Sequence, residues 1–270
     1  MDGYIALSYW DLVIASGFLV LNGALSIWLK LGLERRLAVA MLRMVVQLLL
    51  VGYLLKSLFA IQSPWLTAGV ALFMLLFAGR EIRSRQDRKI AGFWGYGIGT
   101  GAMAVAAITI TVIGLSAMIR PEPWWGPRYS LPLLGMVLGN AMTGISLVLD
   151  TLHTSVKCEK PAIEAQLLLG ATKWEALRPF TRRALRSGFM PIINSMAATG
   201  VVSLPGMMTG QILSGVEPTE AVKYQLLVMF LIGGSTGLGV LMAAFGSLYR
   251  LSDGRDRLRL DRLTQAETGT

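Results

Sequence analysis

The chain has 270 residues, of which 54% are hydrophobic and 15% charged, and its mean hydropathy is +0.58. That composition excludes an ordinary soluble domain. The net charge of +9 does not point to nucleic acid, because the basic residues lie almost entirely between long apolar blocks rather than in one soluble patch. The blocks approach the length a helix needs to cross a hydrocarbon core, so the bilayer is the solvent that governs the fold.

Met1-Asp2-Gly3 offers no basic start and no small-residue cleavage site follows, so the first apolar block is expected to stay in the membrane. Seven apolar segments follow one another at about 8–29, 38–59, 64–80, 94–119, 131–151, 187–213 and 222–249. Runs of this length without period-two alternation read as helices, not barrel strands. The expected fold is an all-α, polytopic membrane helix bundle of about seven spans.

The connections alternate in charge. Lys30, Arg35 and Arg36 follow the first segment, and the run from Arg80 to Lys89 follows the third, whereas the link after the second has only Lys56 nearby. Placing alternate connections in the cytoplasm puts every Lys and Arg inside except Lys56, Arg120, Arg128, Lys223 and the intrahelical Arg43. The positive-inside rule then sets the N-terminus outside and the C-terminus in the cytoplasm. Trp10, Trp65, Trp124, Trp125 and Tyr224 fall at outer ends and Trp28, Trp94 and Tyr249 at inner ones, as amphipathic rings at the headgroup layer should. Small residues four apart, Gly95/Gly99, Gly97/Gly101, Gly135/Gly139, Gly206/Gly210 and Gly233/Gly237, favour close helix packing. Residues 1–251 form the expected transmembrane domain, with a cytoplasmic hairpin at 158–186. Residues 252–270 form a polar cytoplasmic tail, expected to hold a short helix followed by disorder.

The hairpin stretch runs Glu159-Lys160-Pro161-Ala162-Ile163-Glu164-Ala165-Gln166-Leu167-Leu168-Leu169-Gly170-Ala171-Thr172-Lys173-Trp174-Glu175. Pro161 suits the first turn of a helix, Gly170 can take the left-handed conformation that ends one, and Thr172 with Glu175 forms a capping box that starts the next. Ile163, Leu167, Gly170, Trp174 and Leu177 are spaced along one stripe. One reading is an amphipathic hairpin on the inner leaflet, with Arg178, Arg182, Arg183 and Arg186 against anionic lipid. The other is a docking element.

The second reading has a resemblance behind it. Glu164-Ala165 followed by Gly170 resembles the first half of the EAA loop of ABC transporter permeases, although Phe180-Thr181-Arg182-Arg183 departs from that loop's tail. Gly135-Met136-Val137-Leu138-Gly139-Asn140-Ala141-Met142 and Leu204-Pro205-Gly206-Met207-Met208-Thr209-Gly210-Gln211-Ile212-Leu213 resemble the FetB family of permeases, and the likeness spans about residues 10–250. In that family bacterial members are associated with iron export and plant members with aluminium tolerance. The resemblance implies a half-transporter in the cytoplasmic (inner) membrane, two copies of which join two copies of a cytoplasmic ABC ATPase. Glu164, Ala165, Gly170 and Ala171 would be its ATPase-coupling residues. ATP and Mg would bind the partner; this chain has no Gly-x-x-x-x-Gly-Lys-Ser/Thr loop and is expected to bind no cofactor and no nucleic acid.

Polar groups in the spans are candidate pathway residues. Asn140, Asn194, Pro205, Gly206, Met207, Met208 and Gln211 form that set, each with a packing alternative: an interhelical hydrogen bond for the amides, a static kink at Pro205, and gap filling for the thioethers. Pro205, flanked by Gly200, Gly206 and Gly210, predicts a kinked or broken helix. His153 is the only histidine, and no residues have metal-ligand spacing, so no metal site and no catalytic residue are expected. The rivals are an ion-gradient-driven secondary transporter, which would need buried mid-span carboxylates where Asp11 and Asp150 sit at ends, and a non-transporting scaffold.

Overall fold

A peptide group in hydrocarbon has no water to bond, so a chain this apolar must satisfy its backbone within each segment, and helices do so. A computed structural model describes residues 8–61 and 63–264, and among these no β-strand occurs. The chain divides into two compact units, Met1–Ser63 and Pro64–Thr270.

The first unit is a helix pair, α1 (Tyr9–Trp28) and α2 (Glu34–Ile61). Ser8 starts α1 with a capping box: its side chain accepts from Trp10 N, and Asp11 Oδ2 accepts from Ser8 N at 2.8 Å. Asp11 is thus a cap. Between the helices Lys30 and Gly32 adopt positive φ, and the buried Ser26 hydroxyl donates to Glu34 Oε2 at 3.0 Å while accepting from Leu33 N. Nearly every other side chain of the pair is exposed, among them Phe18 at 72% and Leu49 at 69%. A water-soluble unit could not leave that much apolar surface open, whereas lipid covers it without cost.

The second unit contains α3 (Pro64–Ser84), α4 (Trp94–Ile113, prolonged by a π-helical turn Gly114–Ile119), α5 (Pro127–Cys158), α6 (Lys160–Leu168), α7 (Lys173–Ala198), α8 (Gly206–Leu213) and α9 (Pro218–Leu251). Its centre is α5, which packs against α3, α4, α7 and α9. Val137, Ala141, Ile145, Val148 and Leu152, three to four apart and fully buried, form the inner stripe of α5. Small residues bring the neighbours close: a Cβ on Gly99 of α4 would lie 2.8 Å from Ile82 Cγ2 of α3.

Among the described residues six helices, α1 to α5 and α9, are long and apolar enough to cross a membrane, and the chain is a polytopic helical membrane protein. The segment expected at 187–213 is not one helix. It is split between the end of α7 and α8 by a tight turn in which Thr199 is extended, Gly200 takes φ +89 and its N–H donates to Ser203 O at 2.9 Å. Pro205, extended at ψ 142, caps α8 from outside. The first helix has already ended at Ala198, and the proline begins the next one instead of bending a continuous helix.

The tail also departs from expectation. Residues 252–264 form no α-helix. They turn back on the bundle, with Ser252 bridging Leu258, Ile90 bridging Leu263, and one 3-10 turn at Leu260–Arg262. Ala91 N donates to Arg262 O at 2.7 Å and Thr264 N to Lys89 O at 2.8 Å, while Leu258 and Leu260 pack on the core. Leucines recurring among the Arg and Asp residues anchor a segment whose overall polarity read as solvated. The disorder expected at the extreme C-terminus lies outside the described residues.

Candidate functional site: a capped hairpin and a broken span

At the hairpin, α5 ends at Cys158, and Glu159 is the only residue between it and α6. Pro161 lies in the first turn of α6, as expected. Leu169 N donates to Ala165 O, Gly170 N to Leu167 O and Ala171 N to Gln166 O, each at 3.1 Å, and Gly170 takes φ +91. The last carbonyls of α6 are thereby satisfied in a left-handed glycine termination. Thr172 then starts α7: Glu175 Oε2 accepts from Thr172 N at 2.9 Å and from its hydroxyl at 2.8 Å, and Glu175 N donates back to Thr172 Oγ1. These bonds hold the Glu175 carboxyl below its ordinary value of 4.5.

Anchoring and exposure divide along α6. Ile163 is fully buried, as are Ala176 and Leu177 one helix on. Glu164 and Ala165 are exposed, with Glu164 paired to Lys160 at 3.5 Å, and Leu168 and Leu169 are each 88% exposed. Ala171 is half-buried and Trp174 lies 6.4 Å from the Phe245 ring of α9. A short helix is therefore fixed on its inner side and presents an acidic residue, an alanine and two leucines outward.

The tail turn reaches the same place. Lys173 Nζ donates to Asp253 O at 3.0 Å and pairs with Asp256 Oδ1 at 3.4 Å. Asp253 Oδ1 accepts from Arg257 N and Arg255 N, which holds its carboxyl below the ordinary 3.8. Glu164, Leu167, Leu168 and Ala171 with residues 255–258 line one cleft of about 510 Å³. Sequence reasoning placed the tail apart from the hairpin; only the alternation of Leu258 and Leu260 among charges could have signalled its docking.

The pathway candidates are dispersed. Asn140 is half-buried and its Nδ2 donates to Met136 O of its own helix at 2.8 Å. Asn194 is exposed on α7, beside exposed Ile193 and Met196. Pro205 and Gly206 stand at the start of α8, and no atom lies within 4 Å of a Cβ placed on Gly206. Met207 packs on the core, as do Met136 and Met142, while Met208 is half-buried. Gln211 Oε1 is buried without a hydrogen-bond partner, as are Gln225 Oε1 and Thr236 Oγ1 of α9, against which α8 packs.

Among the described residues no group of three or more His, Cys, Asp or Glu could hold a metal. His153 is fully engaged: Nδ1 meets Arg88 O at 2.9 Å and Nε2 meets Ser247 Oγ at 2.7 Å. Asp150 Oδ1 accepts from Asp87 N at 2.8 Å.

Residues 9–251 match the uncharacterised protein family (UPF0014). The chain is 34% identical over 249 residues to a UPF0014 membrane protein of Synechocystis sp., covering 91% of this chain and 94% of the other. It is 32% identical over 238 residues to the probable iron export permease protein FetB of Escherichia coli, covering 87% and 88%. It is 30% identical over 217 residues to the protein ALUMINUM SENSITIVE 3 of Arabidopsis thaliana, covering 80% and 77%. No solved structure matches the chain.

Proposed function

The chain belongs to the uncharacterised protein family UPF0014, and from that membership we propose that it is the membrane-spanning permease subunit of an ABC transporter that exports iron or a related metal species. In this reading ATP and Mg bind a separate cytoplasmic ATPase, two permease copies form the pathway, and the complex sits in the cytoplasmic membrane. The N-terminus lies outside and the C-terminus in the cytoplasm. The broken segment at 187–213 supplies a seventh crossing, and α7 starts beside the end of α9, where Lys173 meets Asp253.

The observation that carries the reading is α6. It is a short, exposed helix that follows α5 after a single residue, is closed at its C-terminal end by the Gly170 turn and is held at its inner face by Ile163, so a push on Leu168 and Leu169 is passed to α5 and α7. Glu164, Ala165, Gly170 and Ala171 are its coupling residues. Around the broken span, Asn140, Asn194, Pro205, Gly206, Met207, Met208 and Gln211 are the proposed pathway set. Gln211 fits it best, because its buried oxygen has no partner. Against a gradient-driven carrier stand the engaged carboxylates of Asp11 and Asp150.

The test is ATP hydrolysis by the tagged chain co-expressed with candidate ATPase subunits and reconstituted in liposomes, with and without Fe(II) on the hairpin side. Iron-stimulated, vanadate-sensitive turnover is expected. Turnover indifferent to iron would remove the cargo from the proposal, and failure to recruit any ATPase would remove the permease role.

A further inference from the structure

Arg178, Arg182, Arg183 and Arg186 stand exposed on α7 and, with Pro179, Ser187 and Met190, line a cleft of about 750 Å³. Arg178/Arg182 and Arg182/Arg186 are four residues apart and Arg183/Arg186 three, so like charges face each other on the helix surface and weaken it. No carboxylate lies within ion-pair distance of any of the four among the described residues. The nearest acid on the same helix, Glu175, is turned back onto Thr172. Four guanidinium groups gathered without a counter-charge need an anion from outside the chain.

The surroundings say which one. Guanidinium forks match phosphate oxygens in geometry as well as charge. One turn beyond Arg186 the exposed side carries apolar side chains, with Met190 50% and Ile193 52% exposed next to the exposed Asn194. A free phosphate has no use for that strip, whereas a phospholipid covers both parts, its headgroup on the arginines and its acyl chain on Met190 and Ile193. We propose that this cleft is a binding site for the headgroup of an anionic phospholipid in the leaflet bordering the hairpin. A lipid there ties the base of α7 to the membrane surface and relieves the repulsion among the arginines. The site does not depend on what the protein transports.

The experiment uses the purified full chain in nanodiscs of phosphatidylcholine alone or mixed with phosphatidylglycerol, reading the lipids retained by native mass spectrometry and the thermal midpoint. Wild type should retain phosphatidylglycerol in preference and unfold at higher temperature with it. Arg182→Gln/Arg183→Gln should lower that retention roughly thirtyfold, since each basic residue near an anionic surface contributes about fivefold. Arg182→Lys/Arg183→Lys should keep most of it, and Arg178→Gln/Arg186→Gln serves if the first pair fails to fold. Equal retention of both lipids, or glutamine variants that hold phosphatidylglycerol as wild type does, would overturn the site. So would equal stabilisation by soluble glycerol phosphate, which would assign the arginines to a free anion.

Discussion

A Cβ atom built on Gly144 would lie 2.8 Å from the carbonyl oxygen of Gly188, and one built on Gly188 would lie 3.0 Å from the carbonyl oxygen of Gly144. The backbones of α5 and α7 touch there, and Val240 of α9 closes the gap, its methyl groups 2.9 Å and 3.0 Å from the two built atoms. Because the obstructing atoms are backbone, neither helix can move aside by a rotamer change. Gly188→Leu should therefore destabilise the unit by about 1–3 kcal/mol through overpacking. The check is the thermal midpoint in detergent, with Gly139→Ala, where no atom lies within 4 Å of the added carbon, as the variant that should not fall.

Gly170 sits at φ +91, and a side chain there costs about 1–2 kcal/mol in the left-handed region. Gly170→Val should loosen the turn while leaving Ile163 and Leu177, and hence membrane insertion, in place. Amide exchange at Leu167–Thr172 should accelerate, and in the permease reading ATP hydrolysis should continue with less cargo moved per ATP. Unchanged coupling would remove the hairpin from the proposed route.

Lys173 is the one side chain seen to bond both Asp253 O and Asp256 Oδ1, and it stands only 19% exposed. Lys173→Met keeps the aliphatic stem and removes both bonds. The expected result is faster exchange at 253–258 with the Thr172 cap unaffected. Equal protection in both proteins would mean that Leu258 and Leu260 alone hold the tail.

How much of this was legible beforehand depends on the range of the interaction. The caps at Pro161, Gly170 and Thr172/Glu175 are local, so the hairpin could be read residue by residue and is found as expected. Five apolar segments each contain one candidate membrane helix, and a sixth at 94–119 holds α4 with its π-helical turn. Close glycine contacts were legible only in part. Gly95, Gly99, Gly233 and Gly237 do meet other atoms closely, but Gly206 and Gly210 face open space, and the tightest reciprocal contact joins Gly144 to Gly188, which are 44 residues apart (188 − 144) and share no motif. The tail failed for the same reason, since its partners Lys89, Ala91 and Lys173 are distant in sequence.

Acid should act on the hairpin and the tail turn beside it through Glu175 and Asp253, whose carboxyls are both depressed. Glu175 is held low by the Thr172 N–H and hydroxyl, and Asp253 by the N–H groups of Arg257 and Arg255. A group whose folded value is lowered contributes stability above its unfolded value and loses it as pH falls through the folded one. The hairpin should thus keep its order from neutrality to about pH 4.5 and loosen only as the pH falls further, through the depressed folded values, where protonation removes the acceptors. Trp174, beside Phe245, reports this by fluorescence, and Glu175→Gln should flatten the transition. Loosening near pH 6 would contradict the assignment.

His153 makes the last prediction, because its two bonds specify its chemistry. The Arg88 carbonyl can only accept, so Nδ1 carries the proton and Nε2 accepts from the Ser247 hydroxyl. The ring is 1% exposed and joins α5 to α9 and to the link before α4. Leucine at 153 would leave the Arg88 carbonyl and the Ser247 hydroxyl without this partner, at about 1–3 kcal/mol for each group left buried. Ser247→Ala removes one bond and should cost less, and adding it to His153→Leu should cost less than the sum of the two, since the stranded hydroxyl is gone. Thermal midpoints of the two single variants and the double measure the coupling. Strict additivity would show that the histidine acts by its bulk and not by bridging the helices.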